Sequence, residues 1–200
     1  MNVMIVGQKW LGAEALRLVR NLGYTITCVA APSKKDKLYE LAMSSGIKAI
    51  VHDKSLNDSH VPNDTDLIIC AHAWCYITKA ARGKSLHGAV GFHPSLLPRH
   101  RGKDAIRWAI HMKESVTGGT VYWMDDKADT GAIAAQDWCH IRPTDSPVDL
   151  WKRELGPMAL DLFKKVLSDL SKGNRVAIKQ DEELATFEPA WSCIKLSDTV

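Results

Sequence analysis

Apolar and polar positions fall into blocks along this chain, and the blocks change period in a regular order. Asn2 to Val6 is a short, mostly apolar run closed by Gly7, and from Leu11 to Val19 the apolar residues Leu11, Ala15, Leu16, Leu18 and Val19 recur at helical spacing. Tyr24 to Ala31 is a β-branched run stopped by Pro32, Lys37 to Ser45 reads as a helix, Lys48 to Val51 as a short strand and Asp66 to His72 as a buried one. Strands this uniformly apolar, separated by helices, are parallel strands covered on both faces. The pattern therefore predicts an α/β fold with a Rossmann-like, doubly wound, mostly parallel sheet and helices on both faces.

Ala89 to Phe92 reads as the end of another strand, Asp104 to Met112 as a helix, and Thr120 to Met124 and Ala132 to Ile141 as strands. Ser146 to Leu170 reads as a long helix with Asp145 or Ser146 as its cap. From about Lys172 the chain turns polar. One domain over residues 1–171, followed by a tail or appended strand over 172–200, is the expected organisation. Trp108 shares helical spacing with Ala105 and Ile106 and is expected in the core, whereas Trp123 ends a strand and is open to either side.

Length and composition narrow this picture. A chain of 200 residues with 46% hydrophobic and 24% charged residues buries a substantial core in one domain. No apolar run approaches the roughly 20 residues of a membrane span, and the start, MNVMIVGQKW, lacks the regions of a signal peptide, so a cytoplasmic protein with no membrane partner is expected. Cys28, Cys70, Cys75, Cys139 and Cys193 are scattered without a CxxC pair, which predicts reduced thiols and no metal site. A net charge of +3 without a basic run gives a nucleic-acid partner no support, and none is expected.

Gly7-Gln8-Lys9-Trp10-Leu11-Gly12 joins the first strand to its helix, the place where a dinucleotide site carries G-x-G-x-x-G. Lys9 stands at the middle glycine, so close approach of backbone to a pyrophosphate is not encoded, and no Gly-Lys-Ser/Thr comes after it for a Walker loop. Three readings stay open: a structural turn, a weakened dinucleotide site, and a loop that meets an acceptor with Lys9 as an anion partner at a helix N-terminus.

The stretch GFHPSLLPRHRG, residues 91 to 102, delivers His93 from a strand's carboxyl end, where ligands sit in open parallel sheets. Pro94 and Pro98 stiffen the segment leaving His93 and pre-aim the ring. Downstream, Asp126-Lys127-Ala128-Asp129-Thr130-Gly131 forms a polar loop between strands, able to bring a carboxylate to the same crevice. A histidine with a carboxylate partner is a general acid/base pair. A core histidine bonded to a carbonyl, and an aspartate capping a turn, also fit the spacing, which does not decide between the two readings.

HPSLLPRHRG at 93–102, then Ala105-Ile106-Arg107-Trp108-Ala109-Ile110 and Asp125-Asp126-Lys127-Ala128-Asp129-Thr130-Gly131-Ala132-Ile133, resemble the 10-formyltetrahydrofolate-dependent formyltransferases. The likeness runs from the first strand to about residue 170. It is strongest to the hydrolase domain of 10-formyltetrahydrofolate dehydrogenase, which shares GQxxxG, HPSLLPRHRG and a Trp before xDDxxDTG, here Trp123. The formyltransferase fold is what this resemblance implies. It also implies 10-formyltetrahydrofolate as formyl donor, a small-molecule acceptor, no metal and room for a homodimer.

By the same resemblance the histidine matching His93 donates to the oxyanion and the aspartate matching Asp129 holds that histidine and moves protons. The family's asparagine, a second oxyanion donor, stands two residues before the histidine, where this chain has Gly91. The pterin slot maps to the loop containing Trp74, Cys75 and Ile77 and to Met124, Asp125 and Asp126. Arg99 and Arg101, which flank His100, form either a solvated basic corner or a contact with the folate's glutamate tail. Gln8, Lys9, Trp10 and His72 are assigned to the acceptor. His72 and Tyr76 are further polar groups near the sheet edge that can stand in for the missing donor, and Phe187-Glu188-Pro189-Ala190-Trp191 either meets a nucleotide or packs on the domain. The expected activity is transfer of a formyl group to an amine of a small acceptor, a nucleotide-linked amino sugar among the candidates. Hydrolysis of 10-formyltetrahydrofolate and folate binding without turnover are the alternatives, both raised by Gly91.

Overall fold

In the first strand, Met4 and Val6 pack into one apolar cluster while Val3 and Ile5 pack into another on the opposite side of the sheet. The same split divides Ile68 and Cys70 from Leu67, Ile69 and Ala71, so neither face of the central strands meets water. Such strands read as continuous apolar runs because both side-chain directions are buried. The structure, a computed structural model, describes residues 1–193; residues 194–200 of the expected tail lie outside them.

The chain runs through β1 (Asn2–Gly7), α1 (Lys9–Asn21), β2 (Thr25–Ala31), α2 (Lys37–Ser44), β3 (Ala49–Val51), β4 (Ser55–Leu56), β5 (Leu67–Ala71), β6 (Tyr76–Ile77), α3 (Lys79–Lys84) and β7 (Ala89–His93). Next come α4 (Ala105–His111), β8 (Val116–Trp123), β9 (Ile133–His140), α5 (Pro147–Leu150) and α6 (Gly156–Ser171). Seven strands form one sheet in the order β3-β2-β1-β5-β7-β8-β9, and β4 pairs with β6 in a small separate ribbon. The pairs from β3 to β7 are parallel, while β8 and β9 are antiparallel additions. The connection reverses direction between β1 and β5, which opens a crevice at the carboxyl ends of β1, β5 and β7.

Two elements differ from the sequence reading for visible reasons. Strand β8 begins four residues before Thr120, because Gly118 and Gly119 erase the apolar alternation that marks a strand. A Cβ on Gly118 would lie 2.1 Å from the Asp137 carbonyl oxygen and 2.6 Å from the Leu96 side chain, so the strand needs glycine there to pass its neighbours. The expected long helix from Ser146 is continuous but widens to a π-turn over Trp151–Leu155. Pro157 has no N–H to give the fourth carbonyl back, so the ladder loosens just before it. Ser146 is the cap, accepting from the Asp149 N–H while Asp149 accepts from the Ser146 N–H.

Past α6 the described part of the tail straps across the domain. Ile178 exchanges both backbone hydrogen bonds with Ile133, and Phe187 bridges to Arg101. Trp108 is only half-buried, contrary to its expected place in the core. Its indole N–H donates to the Pro189 carbonyl at 2.9 Å and its ring meets Trp191 edge to face. Among the described residues no helix is long and apolar enough to cross a membrane, and the five cysteines are free.

Candidate active site

The parallel strands put their carboxyl ends on one edge, so Gly7, Ala71 and His93 stand side by side at roughly 4.8 Å per strand. Three loops leave that edge. Lys9, His72 and Asp129 near it each hold a positive φ, +56°, +59° and +57°, a backbone state that ordinary side chains disfavour and that collects at functional sites.

His93 ends β7 and is 6% exposed. Its Nε2 lies 2.6 Å from the His100 carbonyl oxygen, which can only accept, so Nε2 carries a hydrogen. That leaves Nδ1 as the working nitrogen, and it faces Asp129 Oδ2 at 3.6 Å. The turn from Pro94 to Gly102 thus returns a carbonyl to the histidine it started from, which orients the ring.

Asp129 comes from the loop between β8 and β9. The loop carries its carboxylate back so that Oδ2 accepts from the Gly102 N–H at 2.8 Å and Oδ1 from the Tyr122 hydroxyl at 2.7 Å. Gln180 of the tail, 3% exposed, donates to the carbonyls of Asp129 at 2.9 Å and Gly131 at 2.7 Å. Its amide oxygen accepts from Arg101 at 3.1 and 2.8 Å, and Arg101 in turn pairs with Glu182 at 2.7 Å. The strained loop is held by its side chain on one side and by its backbone on the other. Burial, reinforced by the Asp129 charge, pushes the Tyr122 phenol well above its ordinary ionisation range, so it remains a donor.

Gly91 lies directly across the strand pair from Tyr122. A Cβ at 91 would come within 3.3 Å of the tyrosine hydroxyl and ring. The place beside His93 is therefore occupied by Tyr122. Sequence spacing concealed this residue, since a cross-strand partner is set by register between distant segments. Gln180 was concealed for a different reason: it reads as one polar residue in a polar tail.

The other candidate residues separate into groups. Trp74 stands 71% exposed with Lys103 over its ring at 5.5 Å, whereas Cys75 and Ile77 are buried with the core, and Met124 packs partly against it. Asp125 caps the β8–β9 loop by accepting from the Lys127 N–H and the Thr130 hydroxyl, and Asp126 is paired with Arg82. Arg99 is engaged by Glu114, and Tyr76 is half exposed on the separate β4–β6 ribbon.

Near the first loop, the Lys9 N–H donates to both oxygens of Asp36 at 3.1 and 3.0 Å. The chain's own carboxylate thus takes the amide that an anion at this helix end would use. Gln8 leaves its side chain off the α1 cap, and Trp10 meets Trp151 edge to face. Burial, and then the Lys9 charge, push the His72 imidazole below its ordinary titration range. A cavity of about 480 Å³ opens beside this loop, lined by Gly7, Gln8, Pro32, His52, Trp74 and the 53–55 segment. Among the described residues no cluster of three His, Cys, Asp or Glu side chains could hold a metal ion.

Residues 10–158 match the protein family described as formyl transferase. The chain is 29% identical over 202 residues to the cytosolic 10-formyltetrahydrofolate dehydrogenase of Xenopus laevis, a match covering 94% of this chain and 22% of that protein. It therefore spans about a fifth of the length of the curated relatives it matches first. The fold superimposes on phosphoribosylglycinamide formyltransferase from Bacillus Halodurans with a TM-score of 0.74 at 22% identity, covering 90% of this chain and 100% of the other. An N-formyltransferase from Helicobacter canadensis, solved with folinic acid and dTDP-3-aminofucose, superimposes with a TM-score of 0.80 at 18% identity over 99% of this chain and 74% of its own.

Proposed function

Since the chain belongs to the formyl transferase family, we propose that it moves the formyl group of 10-formyltetrahydrofolate to an amine of a small acceptor, with His93 and Asp129 as the catalytic pair. The observation that carries this reading is the pairing of an oriented imidazole, Nδ1 free, with a carboxylate 3.6 Å away at a sheet's carboxyl edge. The folate derivative supplies an electrophilic formyl carbon on a nitrogen leaving group.

His93 in its charged form donates from Nδ1 to the formyl oxygen as an amine attacks and negative charge gathers there. Asp129 receives the proton that the attacking amine gives up, directly or through water, and returns it to the departing nitrogen. The new carbon–nitrogen bond forms, the old one breaks, and the protons balance. Gly102 and Tyr122 keep the carboxylate aimed throughout.

The exposed face of Trp74 offers a flat wall for the pterin. The acceptor is assigned to the side of Gln8, Lys9, Trp10 and His72, where the cavity of about 480 Å³ that Gln8 lines together with Trp74 has room for a molecule larger than a simple amine. A nucleotide-linked amino sugar is the acceptor class favoured, and a cytoplasmic location goes with it. The test is release of tetrahydrofolate from 10-formyltetrahydrofolate, monitored by absorbance, first alone and then with a panel of amines. Release that requires an amine supports the transferase; release without one makes the protein a hydrolase. Binding with no release under any condition would defeat the catalytic reading.

A further inference from the structure

Resting on the formyl-transfer reading above, we propose that Tyr122 is the positioning residue for Asp129, and that residue 91 is glycine so that Tyr122 can take this place. The two positions compete for one volume. They face each other across β7 and β8, and a Cβ at 91 would sit 3.3 Å from both the hydroxyl oxygen and Cε1 of Tyr122 and 3.4 Å from Cζ. A Cβ at this distance is already tighter than ordinary van der Waals contact, so a side chain at 91 makes the ring give way.

What the ring brings is a single directed hydrogen. Tyr122 is 6% exposed, and its hydroxyl points at Asp129 Oδ1 at 2.7 Å, where a carboxylate oxygen can only accept. Oδ1 is thereby committed, and Oδ2, steadied by the Gly102 N–H, is the oxygen presented to His93 Nδ1. Without the tyrosine, the carboxylate keeps one side-chain anchor in a backbone held at φ +57°, and rotation about its terminal bond turns the working oxygen away.

The exchange has a chemical consequence. With its one hydrogen given to Asp129, the phenol does not add a donor at the formyl oxygen, so His93 carries that charge without help from positions 91 or 122. Gly91 then marks a differently supported site and not a damaged one. An asparagine placed at 91 finds its space filled.

The experiment compares the unaltered protein with Tyr122→Phe and Gly91→Asn in the tetrahydrofolate-release assay, with folding checked by circular dichroism and thermal midpoint. Phenylalanine keeps the packing and deletes only the hydrogen bond. The expected result for Tyr122→Phe is a kcat lower by about 10- to 100-fold, the range for losing one hydrogen bond to a charged group, with KM for the folate within about twofold. Gly91→Asn is expected to lower kcat as well. Tyr122→Phe with an unchanged kcat, or Gly91→Asn with a raised one, overturns this inference alone. Absence of release by the unaltered protein overturns the reading on which it rests.

Discussion

His93 gives its Nε2 hydrogen to the carbonyl oxygen of His100, 2.6 Å away, and the chain between them is the Pro94–Pro98 turn. The ring is thus oriented by its own loop and keeps Nδ1 for chemistry. His93→Ala should lower formyl release by about 10²- to 10⁴-fold, the usual range for a general acid/base, while folate affinity stays within a few fold. Stopped-assay rates and equilibrium titration with 5-formyltetrahydrofolate check the two halves separately. A variant that keeps its rate would remove His93 from the mechanism.

Gln180 ties the loop carrying Asp129 to the tail. Gln180→Ala removes its donations to the carbonyls of Asp129 and Gly131 and strips an acceptor from the buried Arg101 guanidinium. Stability should fall by about 1–3 kcal/mol, the penalty for buried polar groups left unpaired. Urea unfolding measures the loss, and amide exchange should quicken across residues 124–131. Equal midpoints for the variant and the parent would show that the tail rests on the loop without supporting it.

Alkaline pH probes Tyr122. Its ionisation is raised, first by burial and then by the Asp129 charge, so the folded chain holds this proton more tightly than the unfolded one. Stability from that difference is whole below the ordinary tyrosine value of about 10 and is lost as pH rises above it. Urea midpoints between pH 8 and 11 should therefore fall more steeply for the parent than for Tyr122→Phe. Buried thiols steepen both curves alike, so parallel curves would deny the phenol this role.

Thiol labelling separates the cysteines. Cys193 is exposed, while Cys28, Cys70, Cys75 and Cys139 are buried, and burial pushes the thiols of Cys75 and Cys139 up to about 11. At pH 8 only about one in a thousand of those two is a reactive thiolate. Dithionitrobenzoate should react quickly with one thiol and reach the other four only in denaturant. Two or more fast thiols would contradict the packing of these strands.

Much of the sheet was legible because buried parallel strands leave continuous apolar runs, as at Leu67 to Ala71, and because Gly7 and Pro32 punctuate the ends. The start of β8 was not, since Gly118 and Gly119 make room for neighbouring chain in place of side chains of their own. In the candidate site, His93 and Asp129 are visible as residue types of the right chemistry. That Asp129 Oδ2 lies 3.6 Å from Nδ1 depends on a loop folded back by Tyr122, Gly102 and Gln180. Those three act through register, a backbone amide and a tail contact, none of which leaves a periodic trace.

The strap from the tail also sets an order of assembly during synthesis. All seven strands of the sheet have been made once residue 140 is linked, and α6 closes over them by residue 171. Arg101 must then wait for a partner 79 positions later in the chain, and the carbonyl of Asp129 for one 51 positions later. A growing chain therefore owns its core well before it owns a rigid Asp129. The last piece of the machinery to leave the ribosome's exit is the one that locks the carboxylate's loop in place.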